Sequence, residues 1–338
     1  MRFMDINMLN TNAVTTNKNI YILALGGTIA SSGINSTDEF YSRPSNDISE
    51  LISQVAFKNT TIHSEQFLQK ISHEITMDDL LIIAKKIQEI VNRDDIDAVV
   101  ITQGTNCLEE TAYFVNLVVN TKKIIVFTGA FRASNALGFD GGRNLYNAIL
   151  IASKNYNKSM GVVVTFNDAI VCAREATKMN PSCIGDFSVN GKGVIGFIQG
   201  DVVHVQQSTL FKHTCSSEFT ISNIEKLPEI YIIFSYLGAD DLFVNAAITS
   251  GAAGIISAGV GKGYQPEVVT KALNNANNQG MIIVRCTRYG QGIVNKESKT
   301  DGSDSFISGG SLSPQKAKIL LMVQQFPPPH RLHSSRAL

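Results

Sequence analysis

The chain has 338 residues, long enough for two domains with substantial cores. Lys plus Arg and Asp plus Glu number 29 each, so no global field attracts nucleic acid or an anionic membrane surface. A small neutral or zwitterionic ligand suits that balance better than a polyanion.

Residues 1–19 are polar and rich in Asn and Thr, without the continuous apolar core of a signal peptide. They are expected to form a mobile tail. Strand-like and helical runs then alternate. Ile20-Tyr-Ile-Leu-Ala-Leu25 reads as a first buried strand ending in Gly26-Gly27, and Phe67–Ile71 as a second. Thr76 is a candidate N-cap, with Asp79 three residues on, for a helix carrying Leu80, Ile83, Ala84, Ile87, Ile90 and Val91 on one face. Ala98–Thr102, Lys123–Thr128 and Gly161–Phe166 read as three more buried strands, with helices near 107–119 and 141–153. Residues 193–205 read as a hairpin turning at Gly200-Asp201. Alternation of this kind, with strands apolar on both faces, implies a mainly parallel, doubly covered sheet.

Residues 207–228 are polar and aperiodic and read as a linker. Beyond them the alternation resumes with strands at 230–235, 254–258 and 281–286. Helices are expected near 239–250, from Pro266, and from Ser313-Pro314, where Ser is the cap and Pro the first helical residue. The expected fold class is α/β: a larger N-terminal domain at 20–206, a smaller C-terminal α/β domain at 229–325, and a second mobile tail at 326–338. No run is long and apolar enough to span a bilayer. Five scattered cysteines without C-x-x-C spacing favour reduced thiols in a cytoplasmic chain over a disulfide or zinc framework. No other cluster has metal-ligand spacing, and neither a Walker loop nor a G-x-G-x-x-G stands in the sequence. No metal or cofactor is therefore expected.

The joint at Thr102–Phe114, TQGTNCLEETAYF, links a buried strand to an amphipathic helix. Gly104 allows a sharp turn; Asn106 is a good N-cap, and Glu109 completes a capping-box pattern. Ligands in open α/β sheets bind beyond the carboxyl ends of strands, so the same residues could instead do chemistry.

Three stretches in register, ILALGGTIAS (22–31), VITQGTNCLEETAYF (100–114) and NDAIVCAREATKMN (167–180), resemble the bacterial-type L-asparaginase family. FTGAFRASNALGFDGGRNLYNA and SGGSLSPQKAKILL resemble further segments of it, so the resemblance runs from about residue 20 to 325. It implies a homotetramer built as a dimer of dimers. It also implies hydrolysis of L-asparagine to L-aspartate and ammonia, often with side activity on glutamine, without metal or cofactor. Thr28 matches the threonine that attacks the substrate amide, and Tyr41 matches a loop tyrosine beside it. Thr105 matches a second threonine, paired with a lysine that Lys178 matches; together they would position or activate water once an acyl-enzyme has formed. Ser72 matches a serine that binds the substrate carboxylate, and His73 stands at a position usually Gln or Glu.

Departures from the pattern bear on activity. Gln103 replaces a histidine, Asn106 an aspartate that pairs with the substrate α-ammonium, and Cys107 a second threonine. Losing that carboxylate is expected to weaken ammonium recognition by on the order of 1–3 kcal/mol. Gly238 and Ser298, the latter beside Glu297, stand where a neighbouring subunit usually supplies an asparagine and a glutamate. Two other readings follow: a weakened member that binds an amino acid or a protein partner, or an amidase with altered substrate.

Overall fold

The computed structural model describes residues 17–37, 42–55, 57, 59–156, 160–181, 183–184, 187–188, 191–296 and 305–324. Tyr41, Glu297, Ser298 and the segments 1–16 and 325–338 lie outside the described residues. Two compact units divide between Asn223 and Ile224.

In the first unit the elements run β1 (Lys18–Gly26), α1 (Ile48–Ser53), β2 (Thr60–Lys70), α2 (Met77–Asn92), β3 (Ala98–Thr102), α3 (Leu108–Val118), β4 (Ile125–Thr128), α4 (Gly141–Ala152), β5 (Val162–Phe166), β6 (Ala169–Cys172), β7 (Val194–Gln199) and β8 (Val202–Val205). They build an eight-stranded sheet ordered β2-β1-β3-β4-β5-β6-β7-β8. The first five of these strands are parallel, and β5 to β8 pair antiparallel. Ile20, Ile22, Val100, Val126 and Val163 pack with α1 and α4 in one core. The alternate residues Leu23, Val99, Ile101 and Phe127 are equally buried, as strands covered on both faces require.

Several elements depart from the sequence reading. The first strand begins at Lys18, inside the segment expected to be a tail, because Asp97 accepts from Asn19 N and pairs with Lys18 Nζ. The second strand starts at Thr60, seven residues before the apolar run; it is a sheet edge and only partly buried, so polar residues serve it. The helix α1 and the strand β6 were not anticipated. Part of the segment read as a linker forms two 3-10 turns, Thr214–Ser216 and Ile221–Asn223, with Ser217 Oγ donating to Leu117 O in the first unit. The hairpin at Gly200-Asp201 and the caps at Thr76 and Ser313 are present as expected.

The second unit contains β9 (Ile230–Phe234), α5 (Leu242–Thr249), β10 (Gly254–Gly259), α6 (Glu267–Asn278), β11 (Ile282–Thr287), β12 (Ile307–Ser308) and α7 (Pro314–Val323). Its four strands are all parallel, ordered β12-β11-β10-β9. Ile233, Val244, Ile255, Val269, Leu273 and Ile283 share its core.

Candidate active site

The order β2-β1-β3 places a strand reversal beside β1: the chain goes first to one flank and then to the other. At such a switch point the loops leave in opposite directions and open a crevice at the carboxyl ends of the strands. Three turns meet there. A Cβ on Gly27 would lie 2.1 Å from Gly104 N, and one on Gly104 would lie 3.0 Å from Ser72 Oγ. At Gly27 only glycine lets the two backbones touch, and it also holds φ at +86°; at Gly104 a side chain would crowd the Ser72 hydroxyl.

Thr28 follows Gly27 and opens a single 3-10 turn, Thr28–Ala30, within the crevice wall. It is buried. Ala30 N and Ser31 Oγ both donate to Gly27 O, and Ser31 O accepts from Ser134 N and Oγ, so the turn is fastened to the loop after β4.

The β3 turn carries Thr105 and Asn106, and here the local cap expected from the sequence is corrected. The N-cap of α3 is Cys107, without a side-chain cap bond, and Asn106 lies one residue before it. The acceptor comes from Ser72: its Oγ accepts from Asn106 N at 3.1 Å and Cys107 N at 3.4 Å. Ser72 is 1% exposed. With both amides donating to its oxygen, its own hydrogen remains to donate. Glu109 closes no capping box either; its Oε2 accepts from Lys178 N at 2.6 Å.

Lys178 lies in the irregular segment after β6 and reaches back to this turn. Its Nζ donates to Thr105 Oγ1 and to Asn106 Oδ1, both at 2.8 Å, and sits 5.2 Å from the centre of the Phe131 ring. Burial lowers the lysine pKa below its ordinary value by disfavouring the ammonium form. Asn106 Nδ2 faces His73 Nδ1 at 3.5 Å, and His73 is exposed.

Thr105, Lys178, Asn106, Ser72 and His73 are thus linked directly, and Thr28 stands on the adjoining turn. Gln103 is fully buried behind them, donating to Thr111 Oγ1 at 3.0 Å. Cys107, which replaces a threonine of the family pattern, brings a thiol to the same turn. Burial, reinforced by the charges of Glu110 and Glu109, pushes its thiol up to about 11. A protonated thiol is a poor nucleophile. The sequence reading left out Glu109 as a site residue, because its partner stands 69 positions away. Among the described residues no group of three or more His, Cys, Asp or Glu side chains is placed to hold a metal ion. No helix among them is long and apolar enough to cross a membrane.

Comparison with known proteins agrees with this architecture. Residues 19–211 match the family described as "Asparaginase, N-terminal", and residues 229–325 match the "Glutaminase/Asparaginase C-terminal domain". L-asparaginase 2 of Bacillus subtilis is 37% identical over 308 residues, covering 90% of this chain and 82% of that protein. The glutaminase-asparaginase of Acinetobacter glutaminasificans is 37% identical over 313 residues, covering 90% and 93%. The crystal structure of probable cytoplasmic L-asparaginase from Campylobacter jejuni superimposes with a TM-score of 0.86 at 33% identity, covering 90% of this chain and 94% of that one.

Proposed function

This chain belongs to the bacterial-type L-asparaginase family, and we propose that it hydrolyses the side-chain amide of L-asparagine through an acyl-enzyme on Thr28. It is an amidohydrolase acting on a small amino-acid amide. Thr28 Oγ1 adds to the amide carbon, the carbon–nitrogen bond breaks, and nitrogen leaves as ammonia carrying the hydroxyl proton. Water then adds to the ester carbon. Its proton passes through Thr105 Oγ1 to the Lys178 amine and returns to Thr28 Oγ1 as aspartate departs. The sum is amide plus water to acid plus ammonia.

The observation that carries this reading is the 2.8 Å hydrogen bond between Lys178 Nζ and Thr105 Oγ1, at the switch point and on the turn next to Thr28. A lysine whose burial disfavours the cation gives up its proton more readily than a free lysine, which suits it to act as a base. Ser72, with its hydrogen still to donate, suits a substrate carboxylate. Tyr41 is assigned to assist Thr28 by the resemblance alone. A second reading, a member that binds but turns over slowly, is favoured by Asn106: a neutral amide whose oxygen already accepts from Lys178.

Ammonia release from asparagine, glutamine and related ω-amides separates the readings. Thr28→Ala is expected to abolish release while leaving the unfolding temperature unchanged; turnover at the wild-type rate in that variant refutes the threonine mechanism. We assign the protein to the cytoplasm, which agrees with five cysteines that form no disulfide. We assign it a homotetrameric assembly, a dimer of dimers, with each site completed by a neighbouring subunit.

A further inference from the structure

We propose that Glu109 is a positioning residue for hydrolysis of the acyl-enzyme, acting by clamping the backbone of Lys178; this rests on the functional reading above. Lys178 lies between β6 and β7, where no sheet ladder fixes its backbone. The segment is tied locally by Ala176 N donating to Cys172 O and Thr177 N to Phe187 O. At Lys178 itself the N–H donates to Glu109 Oε2 at 2.6 Å, a short charge-assisted bond. Glu109 is 7% exposed and belongs to the first turn of α3. That helix opens directly after the turn whose Thr105 and Asn106 side chains accept from Lys178 Nζ.

The lysine is therefore held at two points on one rigid element. Its backbone is fixed by α3 through Glu109, and its amine lies against the turn that leads into α3. A long, flexible side chain meets Thr105 Oγ1 reproducibly only if its base is fixed too. Misplacement of a catalytic group by about 1 Å can cost on the order of a hundredfold in rate. An acidic residue in a first helical turn is commonly explained by the helix dipole. Glu110, adjacent and more exposed, can serve the dipole equally well. The dipole does not require a carboxylate aimed at a backbone N–H 69 residues away.

The test separates acylation from deacylation. Because kcat/KM reports steps only through formation of the acyl-enzyme, loss of the clamp should spare it and lower kcat. For Glu109→Ala on asparagine, kcat is expected to fall about tenfold or more, with kcat/KM within roughly threefold of wild type. Acid quenching during turnover should then show by intact mass an aspartyl ester on Thr28 that wild type does not accumulate. Glu109→Gln retains an acceptor oxygen and should recover kcat to within about threefold of wild type. Glu109→Asp keeps the charge but withdraws the oxygen by one methylene; it should show the same fall in kcat with kcat/KM spared, and it carries the test if the alanine variant fails to fold. Wild-type kcat in Glu109→Asp overturns the proposal, as does a parallel fall in kcat and kcat/KM without ester accumulation. If wild type itself releases no ammonia from any amide, the functional reading fails and this inference fails with it. If wild type turns over and the Glu109 variants match it, this inference alone fails.

Discussion

Asn106 and Thr105 share one amine, so in the proposed mechanism the charge at position 106 should set both the basicity of Lys178 and recognition of the substrate. Burial holds the Lys178 pKa below that of a free lysine, about 10.4. Deacylation that needs the neutral amine should therefore speed up with pH through that lowered value, and kcat against pH reads this as a limb on the acid side, where deacylation becomes limiting. Asn106→Asp places a carboxylate where Asn106 Oδ1 now lies, 2.8 Å from Nζ. An anion there favours the ammonium, so the limb should move to higher pH; a limb that moves to lower pH contradicts the base role. Recognition should respond separately. The added charge should raise kcat/KM for asparagine, and because Asn106 is exposed the gain belongs at the low end, about 1 kcal/mol or fivefold. N-acetylasparagine, which has no ammonium, should gain nothing. Equal change on both substrates would mean the site serves another ligand. Stability should hold, since Asn106 lies outside the cap and a carboxylate near a helix N-terminus is mildly favourable. Here the sequence showed the residue types but misassigned their partners. Asn106 satisfied every local criterion for a cap, yet Ser72, 34 residues earlier, supplies the acceptor. Such long-range competition is invisible to a short motif.

Among the elements, those dictated by local chemistry were the legible ones. Thr76 and Asp79 form a reciprocal box: Thr76 Oγ1 accepts from Asp79 N at 3.1 Å, and Asp79 Oδ2 accepts from Thr76 N at 2.8 Å. The same carboxylate pairs with Lys70 at the end of β2, so the cap also ties α2 to the sheet edge. Thr76→Ala should cost about 1 kcal/mol, read as a lower denaturant midpoint at unchanged slope. No change in midpoint would mean that Lys70 and Asp79 hold the helix end without the hydroxyl. The strand β6 was missed although a signal existed. Asn167 and Asp168 both have positive φ, 46° and 62°, between two β-prone runs, the pattern of a two-residue hairpin. The short helix α1 had no usable periodicity in six residues; its evidence is the Asp47 side chain accepting from Ser49 N.

At the scale of the whole molecule, the second unit exposes a group of large apolar side chains. Leu237 is fully exposed, Leu242 and Phe243 are 63% and 56% exposed, and Tyr236 stands beside them. All four lie within eight residues of sequence around Gly238, the position where the resemblance implies a contribution to a neighbour's site. Gly238 has φ +81°, a conformation open to glycine and, among the other residues, easiest for asparagine. Exposed apolar side chains this close in sequence, on the loop after β9 and at the start of α5, are the kind of surface an interface would cover. Burying one such side chain contributes roughly 1.5–3 kcal/mol, so several together can favour association. Association is therefore expected in solution, with the tetramer that the resemblance implies as the predicted state, measurable by light scattering at micromolar concentration. Leu237→Glu would place a charge in that contact and should shift the mass toward smaller assemblies. Ammonia release should fall in step with the tetramer fraction if sites are completed across subunits. A wild-type monomer with full turnover removes the shared-site model. A Leu237→Glu tetramer with unchanged mass would instead move the interface away from the 236–243 segment. Either result bears on Gly238, since a residue that meets no neighbour cannot weaken a neighbour's site.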